Sequence, residues 1–338
     1  MHVQRLIATA AFVGVFLLAC VAGYVSIADR AVADEPGKKQ ATHPNSIRIA
    51  ETEEEFLVSE GGEPVLFYQR ASKSLEGKYE RADYVHPLYG LDGQVLTEDF
   101  PDDHLHHRGV FWAWHQLYIG DKKLGDAWSI IDFSYDVKDV KILDVNSASP
   151  ALRAEVCWNS PLWTGSEGRE KPFVKEITTI RFHPTVGDIR KIDLEIALLS
   201  LEKGFRIGGA DNKKAYGGFS VRIKLPDGME FVGPAGAVEP ILTPLPAAAW
   251  MDFSGDFGGD GKISGLAILS HESNPGYPEK WILRRKGAMQ NAVWPGREPV
   301  VLATKEPTVL RYRLIIHRGD NKDINLGKLQ AEYNIEPL

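Results

Sequence analysis

Short segments in which apolar and polar side chains alternate constrain the fold of this chain more than any other feature. The clearest is residues 191–198, and the same alternation recurs at residues 220–225 and 310–317. A period of two is typical of a β-strand with one buried face, and turn residues such as Pro226 and Gly228 follow the second segment. Because a half-buried sheet needs a second sheet to cover it, the pattern predicts an all-β fold, a large antiparallel β-sandwich.

Helical periodicity is scarce in this sequence. The chain contains 32 Gly and 20 Pro, which are scattered and interrupt most of the longer windows in which a helix would form. No repeat of fixed period is visible, which disfavours a propeller or a solenoid.

The N-terminus has the pattern of an export signal. Arg5 supplies a positive charge, and residues 6–27 contain no charged side chain. Small residues at positions 31–33 fit a signal-peptidase site, so residues 1–33 are predicted to be a signal peptide. Two alternatives remain, because the apolar stretch is long enough to be a retained membrane anchor and Cys20 follows a sequence similar to a lipoprotein box. The sequence therefore predicts an exported protein, periplasmic or extracellular, or membrane-anchored where the segment is retained.

The rest of the chain is predicted to be a flexible linker and one domain. Residues 34–46 are polar and include Pro36 and Gly37, and residues 47–338 are predicted to form a single β-sandwich domain. The formal net charge of −7, without a run rich in Lys or Arg, argues against nucleic-acid binding, which needs a basic surface. The expected partner is a small molecule or a glycan, and contact with a membrane is expected only through the N-terminal segment.

Histidines are concentrated in one part of the chain. Five of the ten lie within residues 86–115: His86, His104, His106, His107 and His115. Asp99, Asp103 and Arg108 accompany them, so this region holds groups that donate protons, accept protons and bind anions near neutral pH. If residues 104–106 are extended, His104 and His106 share one face, and His107 points to the other face beside a strand predicted at residues 110–114.

Two kinds of chemistry suit a pair of imidazoles at this spacing. In the first, His104 or His106 acts as an acid, and a base lies on the other side of the substrate. His271 and Glu272 are the candidate bases, because they directly follow the apolar run at residues 265–269, where a strand is predicted to end. No cofactor is expected under this hypothesis.

The second kind of chemistry uses a divalent metal. His104 and His106, with His86 or His271 as a third ligand, would hold Zn²⁺ or Fe²⁺ and leave one coordination position open for water or oxygen.

Other side chains are assigned to substrate binding rather than to proton transfer. Arg108 is predicted to orient a hydroxyl or carboxylate group of the substrate. The remaining assignments are His86, His107, Asp99, Asp103, Trp114 and Trp281. The two tryptophans are included because a flat ring face suits the CH groups of a sugar, although most of the eight tryptophans are expected in the core.

These motifs together resemble a bacterial family of unknown function that is labelled methane oxygenase PmoA. The resemblance rests on residues 84–88, on residues 96–99 with the His-rich run at 103–109, and on residues 265–275. The membrane subunit of particulate methane monooxygenase needs several spanning helices, whereas this chain has one apolar stretch, so that activity is excluded.

The sequence Pro-Asp-Asp-His-Leu-His at residues 101–106 is similar to the Asn-His-Leu-His motif of aldose 1-epimerases, the galactose-mutarotase group. The resemblance implies a galactose-mutarotase-like supersandwich and a histidine, matched by His104 or His106, that acts as an acid on the ring oxygen of a sugar. The base of that group is a Glu on a late strand, whereas His271 stands at the matching position here, with Glu272 beside it. Because of this departure, the resemblance implies sugar binding and acid/base chemistry rather than mutarotation itself.

The leading hypothesis is an exported carbohydrate-active enzyme that acts on a sugar or glycoside by His/carboxylate proton transfer, of epimerase, lyase or hydrolase type. One alternative is a metal-dependent enzyme that uses the His cluster with Zn or non-haem Fe. The other is a non-catalytic glycan-binding module in which the cluster is polar scaffolding.

Overall fold

The structure, a computed structural model, describes residues 46–336 with the exceptions of residues 146 and 288. The predicted signal peptide and all but the last residue of the predicted linker lie outside the described residues. The strands are β1 (Ile47–Glu51), β2 (Glu55–Glu60), β3 (Glu63–Gln69), β4 (Lys73–Leu75), β5 (Lys78–Arg81), β6 (Tyr84–Leu88), β7 (Val110–Ala113), β8 (Gln116–Ile119), β9 (Lys122–Gly125), β10 (Ser134–Leu143), β11 (Ala151–Asn159), β12 (Val174–Phe182), β13 (Ile189–Ser200), β14 (Phe205–Gly208), β15 (Gly218–Val221), β16 (Glu230–Gly233), β17 (Gly236–Ala237), β18 (Trp250–Gly255), β19 (Ser264–Ser270), β20 (Lys280–Ile282), β21 (Gln290–Val293), β22 (Val300–Val301) and β23 (Thr308–Arg318), followed by the helix α1 (Leu326–Ile335). Across the described ranges, no helix is long and apolar enough to cross a membrane.

Two large antiparallel sheets dominate the described part of the chain. One has eight strands in the order β1-β2-β3-β6-β7-β15-β21-β20, and the other has nine in the order β10-β11-β12-β13-β23-β19-β18-β16-β17. Two smaller sheets have the orders β22-β14-β8-β9 and β4-β5. The predicted all-β class with large antiparallel sheets is therefore confirmed.

The alternating segments lie where the prediction put them, with one exception. β13 alternates half-buried and buried residues along its whole length and contains residues 191–198, and β23 contains residues 310–317. The segment at 220–225 is shorter than predicted: β15 ends at Val221, and Ile223 pairs with Thr97 only through an isolated bridge.

The main core lies between the two large sheets. Phe219 of β15 stacks on Tyr312 of β23 with 4.3 Å between ring centroids. The Glu176 carboxylate of β12 accepts hydrogen bonds from Trp112 Nε1 of β7 at 2.7 Å and from Trp158 Nε1 of β11 at 2.8 Å. Since buried polar groups are stabilised only when they are paired, these two tryptophans fix the carboxylate inside the sandwich.

The outer face of the nine-stranded sheet is covered at its centre by α1. Leu269 of β19 and Ile315 of β23 pack in a second apolar cluster with Leu326 and Tyr333 of the helix. β19 is therefore buried on both faces, which explains why residues 265–269 form a continuous apolar run rather than an alternating one.

Candidate functional site

The His-rich segment forms a loop whose two ends are tied together. The Gly109 N–H donates to the Glu98 carbonyl oxygen at 2.8 Å, and Asp99 and Arg108 form an isolated antiparallel bridge. Inside the loop, the His104 N–H donates to the Pro101 carbonyl at 3.0 Å, and the His107 N–H donates to the His104 carbonyl at 2.8 Å. These hydrogen bonds make two consecutive turns, so residues 104–106 do not have the extended conformation under which His104 and His106 were expected to share one face.

Gly109 explains why the loop closes at this position. Its φ is +44°, and a Cβ at this residue would collide with the Val85 carbonyl oxygen of β6. Only glycine combines this backbone conformation with so close an approach to a neighbouring strand. The end of the His-rich loop is therefore held directly against the eight-stranded sheet.

The two turns bring three imidazoles together. The His104 ring stacks on the His107 ring with 4.7 Å between centroids, and the His106 ring meets the His107 ring edge-on at 4.6 Å. His107 was predicted on the face opposite to the other two; it lies among them instead, because a turn does not alternate its side chains as a strand does.

These imidazoles border a cavity of about 160 Å³, which we call the histidine cavity. Its lining comes from the His-rich loop, from the residue before β8, from the turn after β9 and from the loops before β15 and β21. The lining residues are His104, His106, His107, His115, Trp128, Ser129, Lys214, Tyr216, Arg284 and Met289. Trp128 is central in this wall, since its ring contacts the rings of His107, His115 and Tyr216.

His115 is paired with a carboxylate behind the cavity wall. Its Nδ1 lies 2.9 Å from Asp126 Oδ2, and the other oxygen of Asp126 accepts the Ser129 N–H at 2.8 Å. The Nε2 of His115 is buried and has no partner among the described residues. A carboxylate on Nδ1 fixes the tautomer in which Nε2 carries the lone pair, so this nitrogen is a hydrogen-bond acceptor whose lone pair is unused among the described residues.

His104 forms a second imidazole–carboxylate pair in the same cavity. Its Nδ1 lies 3.1 Å from Asp103 Oδ2, and Arg222 donates to both oxygens of Asp103, at 2.7 Å from Nη2 and 3.1 Å from Nη1. Burial alone would raise the pKa of Asp103, but the hydrogen bonds from Arg222 and His104 outweigh it and hold that pKa below its usual value. At Asp126, burial is likewise outweighed by the hydrogen bond and charge of His115, and the pKa is lowered.

His106 and His107 are neutral imidazoles at neutral pH. Burial lowers the pKa of His106 to about 4, helped by the nearby charges of His104 and the buried Arg81. Burial, followed by the charges of His106 and His104, pushes the pKa of His107 still further below its usual value. The cavity therefore presents two carboxylate-paired imidazoles and two neutral ones.

Arg108 and Asp99, both predicted to bind substrate, are placed instead inside the fold. Arg108 is 0% exposed, and its Nε and Nη2 pair with the Asp99 carboxylate. Its Nη1 donates to the Lys73 and Tyr79 carbonyl oxygens at 3.0 Å each, and Nη2 also donates to the Tyr84 hydroxyl. These donors are occupied within the protein, so the structure gives Arg108 the role of holding the ends of the His-rich loop.

Replacing Arg108 by methionine is expected to lower the free energy of unfolding by about 3 kcal/mol, because the half-buried Asp99 carboxylate loses its partner. Urea unfolding followed by tryptophan fluorescence measures the change. The matched control is Arg169→Met, an exposed arginine paired with Glu167, which we expect to stay within about 0.5 kcal/mol of the original chain. Equal effects of the two substitutions would contradict the structural role of Arg108.

His86, assigned to substrate binding and to the metal set, does not border the histidine cavity. Its Nδ1 lies 3.0 Å from Thr97 Oγ1, and burial lowers its pKa to about 4. The metal set predicted from His104, His106 and His86 is therefore not brought together. Among the described residues, no group of three His, Cys, Asp or Glu side chains is placed to hold a metal ion.

His271 and Glu272, the predicted bases, also lie outside the histidine cavity. The His271 ring meets the Tyr333 ring of α1 edge-on at 5.0 Å, and Glu272 is exposed beside Asn334 of the same helix. They follow β19 on the side of the nine-stranded sheet that α1 covers, so the structure does not place them with His104 and His106.

Trp114 and Trp281, which were assigned to the ligand, are fully buried core residues. Trp114 Nε1 donates to the Trp294 carbonyl at 2.8 Å, and Trp281 Nε1 donates to the Ala248 carbonyl at 2.9 Å. The tryptophan that borders the cavity is Trp128.

Sequence reasoning missed several members of the site. His115 was counted in the histidine cluster but given no role, and its partner Asp126 was not singled out. A local signal for Asp126 exists, since an Asp three residues before Ser129 is typical of a side chain that caps its own turn. Lys214 and Arg284 carry no such signal, because only the pairing of β7, β15 and β21 brings their loops to the His-rich loop.

Comparison with solved structures finds nine matching chains, and the one described here is of low similarity. A crystal structure from Salmonella typhimurium, described as "a putative mutarotase", is 13% identical; the alignment covers 84% of this chain and 97% of that chain, with a TM-score of 0.28. At this TM-score the likeness carries no argument about function. Comparison with curated proteins finds no match.

A family model matches residues 55–330, which include almost the whole described part of the chain. Its description is a family of unknown function, DUF6807, and the methane-oxygenase label is not part of that description. Since the match covers more than half of the sequence, this protein belongs to the DUF6807 family of unknown function.

Proposed function

We propose that this protein is an enzyme that moves protons on a small carbohydrate, with imidazoles of the histidine cavity as its base and acid. The observation that carries the proposal is His115, whose Nδ1 is bound to Asp126 while its buried Nε2 has no partner among the described residues. An imidazole fixed in this way by a carboxylate is the arrangement of a general base.

The proposed reaction divides the work among the four imidazoles. His115 Nε2 accepts a proton from a hydroxyl group or an activated C–H of the ligand. His104, whose Nδ1 is paired with Asp103, donates a proton to a ligand oxygen, so one proton leaves the ligand as another arrives. His106 and His107, which are neutral, hydrogen-bond to hydroxyl groups and add no charge of their own.

The size and lining of the cavity favour a single sugar ring. A volume of about 160 Å³ is below the roughly 300–1,000 Å³ typical of pockets for drug-sized ligands. Several hydrogen-bonding groups in the wall suit hydroxyl groups, and the half-buried Tyr216 ring offers apolar surface to the CH groups of a pyranose.

The test is a search for turnover by proton NMR in D₂O. Monosaccharides and their methyl glycosides are incubated with the protein, and anomer interconversion, C–H exchange, elimination and release of methanol are followed. We expect at least one sugar to be turned over, and the His115→Gln variant to lower kcat/KM for it by about 10²-fold or more, the usual contribution of a general base.

Glu272→Gln is the matched control for that experiment. Glu272 is exposed, lies outside the cavity and stands beside the position that matches the Glu base of aldose 1-epimerases. We expect this variant to keep full activity. Activity that survives in His115→Gln and disappears in Glu272→Gln would overturn the proposal, and sugar binding without any turnover would favour a glycan-binding module instead.

A further inference from the structure

The lysine and the arginine in the wall of the histidine cavity have no acidic residue beside them in the lining of the described ranges. Lys214 and Arg284 both line the cavity, together with the four imidazoles, and the lining within the described ranges includes no Asp or Glu. A cavity lined by one sign of charge attracts ligands of the opposite sign, and the attraction is stronger where part of the wall is buried.

The Arg284 guanidinium is fixed at this wall without a carboxylate partner. Its Nη1 donates to the Ile241 and Leu283 carbonyl oxygens at 2.8 Å each, and its Nη2 donates to the Leu242 carbonyl at 3.1 Å. Its Nε–H has no partner within the described part of the chain. Burial lowers the pKa of Arg284, which reflects the cost of a half-buried charge that no anion compensates.

Lys214 is the second cation of the wall and is also uncompensated. Asp211, the carboxylate nearest to it in sequence, pairs with Arg297 at 2.9 Å. Across residues 46–336, apart from the two that are not described, Lys214 makes no ion pair. Its backbone N–H is bound to the Asn212 side chain, which orders the loop that carries it.

The acidic groups behind the wall do not cancel these two charges. Asp103 is bound through both oxygens by Arg222, and Asp126 is turned toward His115 and the Ser129 N–H. A desolvated cation is costly unless an anion approaches it, and the fork of an arginine suits the planar oxygens of a carboxylate.

We infer that the ligand of the histidine cavity is an acidic sugar, a uronate whose carboxylate is bound between Lys214 and Arg284. The inference takes the sugar ring from the proposed function and adds the charged group. It places the carboxylate at the two cations and leaves the ring hydroxyl groups to the imidazoles and Ser129.

The test compares each uronate with its uncharged ester. Binding of galacturonate, glucuronate and mannuronate is measured by titration calorimetry beside their methyl esters, which have nearly the same shape but no charge. We expect at least one uronate to bind about 10-fold or more tightly than its ester at low ionic strength, and the difference to shrink as salt screens the charges.

Substitutions at the two cations, with one control, show which side chains cause the preference for the uronate. Lys214→Gln is expected to remove most of the preference for the uronate over its ester. Lys213→Gln is the matched control, since Lys213 is exposed and does not line the cavity. Arg284→Lys, which keeps the charge and loses the fork, is expected to reduce the preference in part.

The outcomes separate this inference from the proposed function. Turnover of neutral sugars with equal affinity for uronates and esters would overturn the inference and leave the proposed function standing. Tight uronate binding that depends on Lys214, without turnover, would support the inference and remove the proposed function. Preference for galactose 6-phosphate over every uronate would show that the cations bind phosphate, and would overturn the assignment of a carboxylate.

Discussion

The Asp126→Asn variant is expected to lose activity by up to about 10⁴-fold toward the sugar that the protein turns over. The asparagine side chain has nearly the shape of the aspartate but can donate its amide N–H to Nδ1 of His115. The proton of the imidazole would then move to Nε2, the nitrogen that has to accept a proton. The loss should appear in kcat, because Asp126 does not line the cavity and binding of the ligand is left intact.

Controls separate this positioning role from a structural one. Asp132→Asn is the matched control, since Asp132 is exposed in the same loop region and its φ of +51° is one that Asn also adopts. Loss of the carboxylate should also move the acid limb of the pH–rate profile to lower pH, because a protonated imidazole is stabilised by a neighbouring carboxylate. An Asp126→Asn variant with unchanged kcat and an unchanged profile would contradict the assignment of His115 as the base.

Acidification from pH 7 to pH 4 is expected to lower the free energy of unfolding by an amount on the order of 5 kcal/mol. Burial lowers the pKa of both His86 and His106 to about 4 and lowers that of His107 further, whereas an imidazole in the unfolded chain titrates near pH 6.5. Below that pH the unfolded chain takes up protons that the folded chain does not bind, so stability falls as the pH decreases toward 4.

Urea unfolding at a series of pH values measures this loss. The loss caused by these imidazoles should vanish above about pH 8, more than one pH unit above the ordinary imidazole pKa of about 6.5. In the His106→Gln variant, the loss between pH 7 and pH 5 should be smaller by about 1 kcal/mol or more, since one of the contributing groups is removed. A variant with the same pH dependence as the original chain would show that His106 does not contribute.

The sequence was sufficient for the fold class because each strand carries its own periodicity. Residues 191–198 and 310–317 alternate within themselves, and they lie in β13 and β23 as expected. The continuous run at 265–269 predicted a buried strand, but only the structure shows that α1 covers its second face. His104 and His106, the two histidines predicted to carry the chemistry, both border the cavity.

The remaining members of the site depend on contacts between distant parts of the chain. The extended conformation assumed for residues 104–106 failed because two turn hydrogen bonds override the strand period, and this brought His107 into the cavity. Arg108 was misassigned because a charged residue beside histidines suggests recognition, whereas burial against Asp99 is a property of the folded chain alone.

The positions of His271 and Glu272 in the fold also could not be predicted from the sequence. Both follow a strand, as catalytic residues often do, but the end of β19 lies beside α1 rather than beside the His-rich loop. Which strand ends meet is decided by the order of strands in the sheets, and no local pattern in the sequence encodes that order.

The position of β23 has a consequence for how the chain is made. This strand, Thr308–Arg318, lies at the middle of the nine-stranded sheet and pairs with β13 on one side and β19 on the other. It follows both β13 and β19 in the chain, so the two halves of the sheet cannot join until synthesis has passed Arg318. A product truncated before Thr308 would keep β13 and β19 as open edges, and unpaired edges of this length invite aggregation.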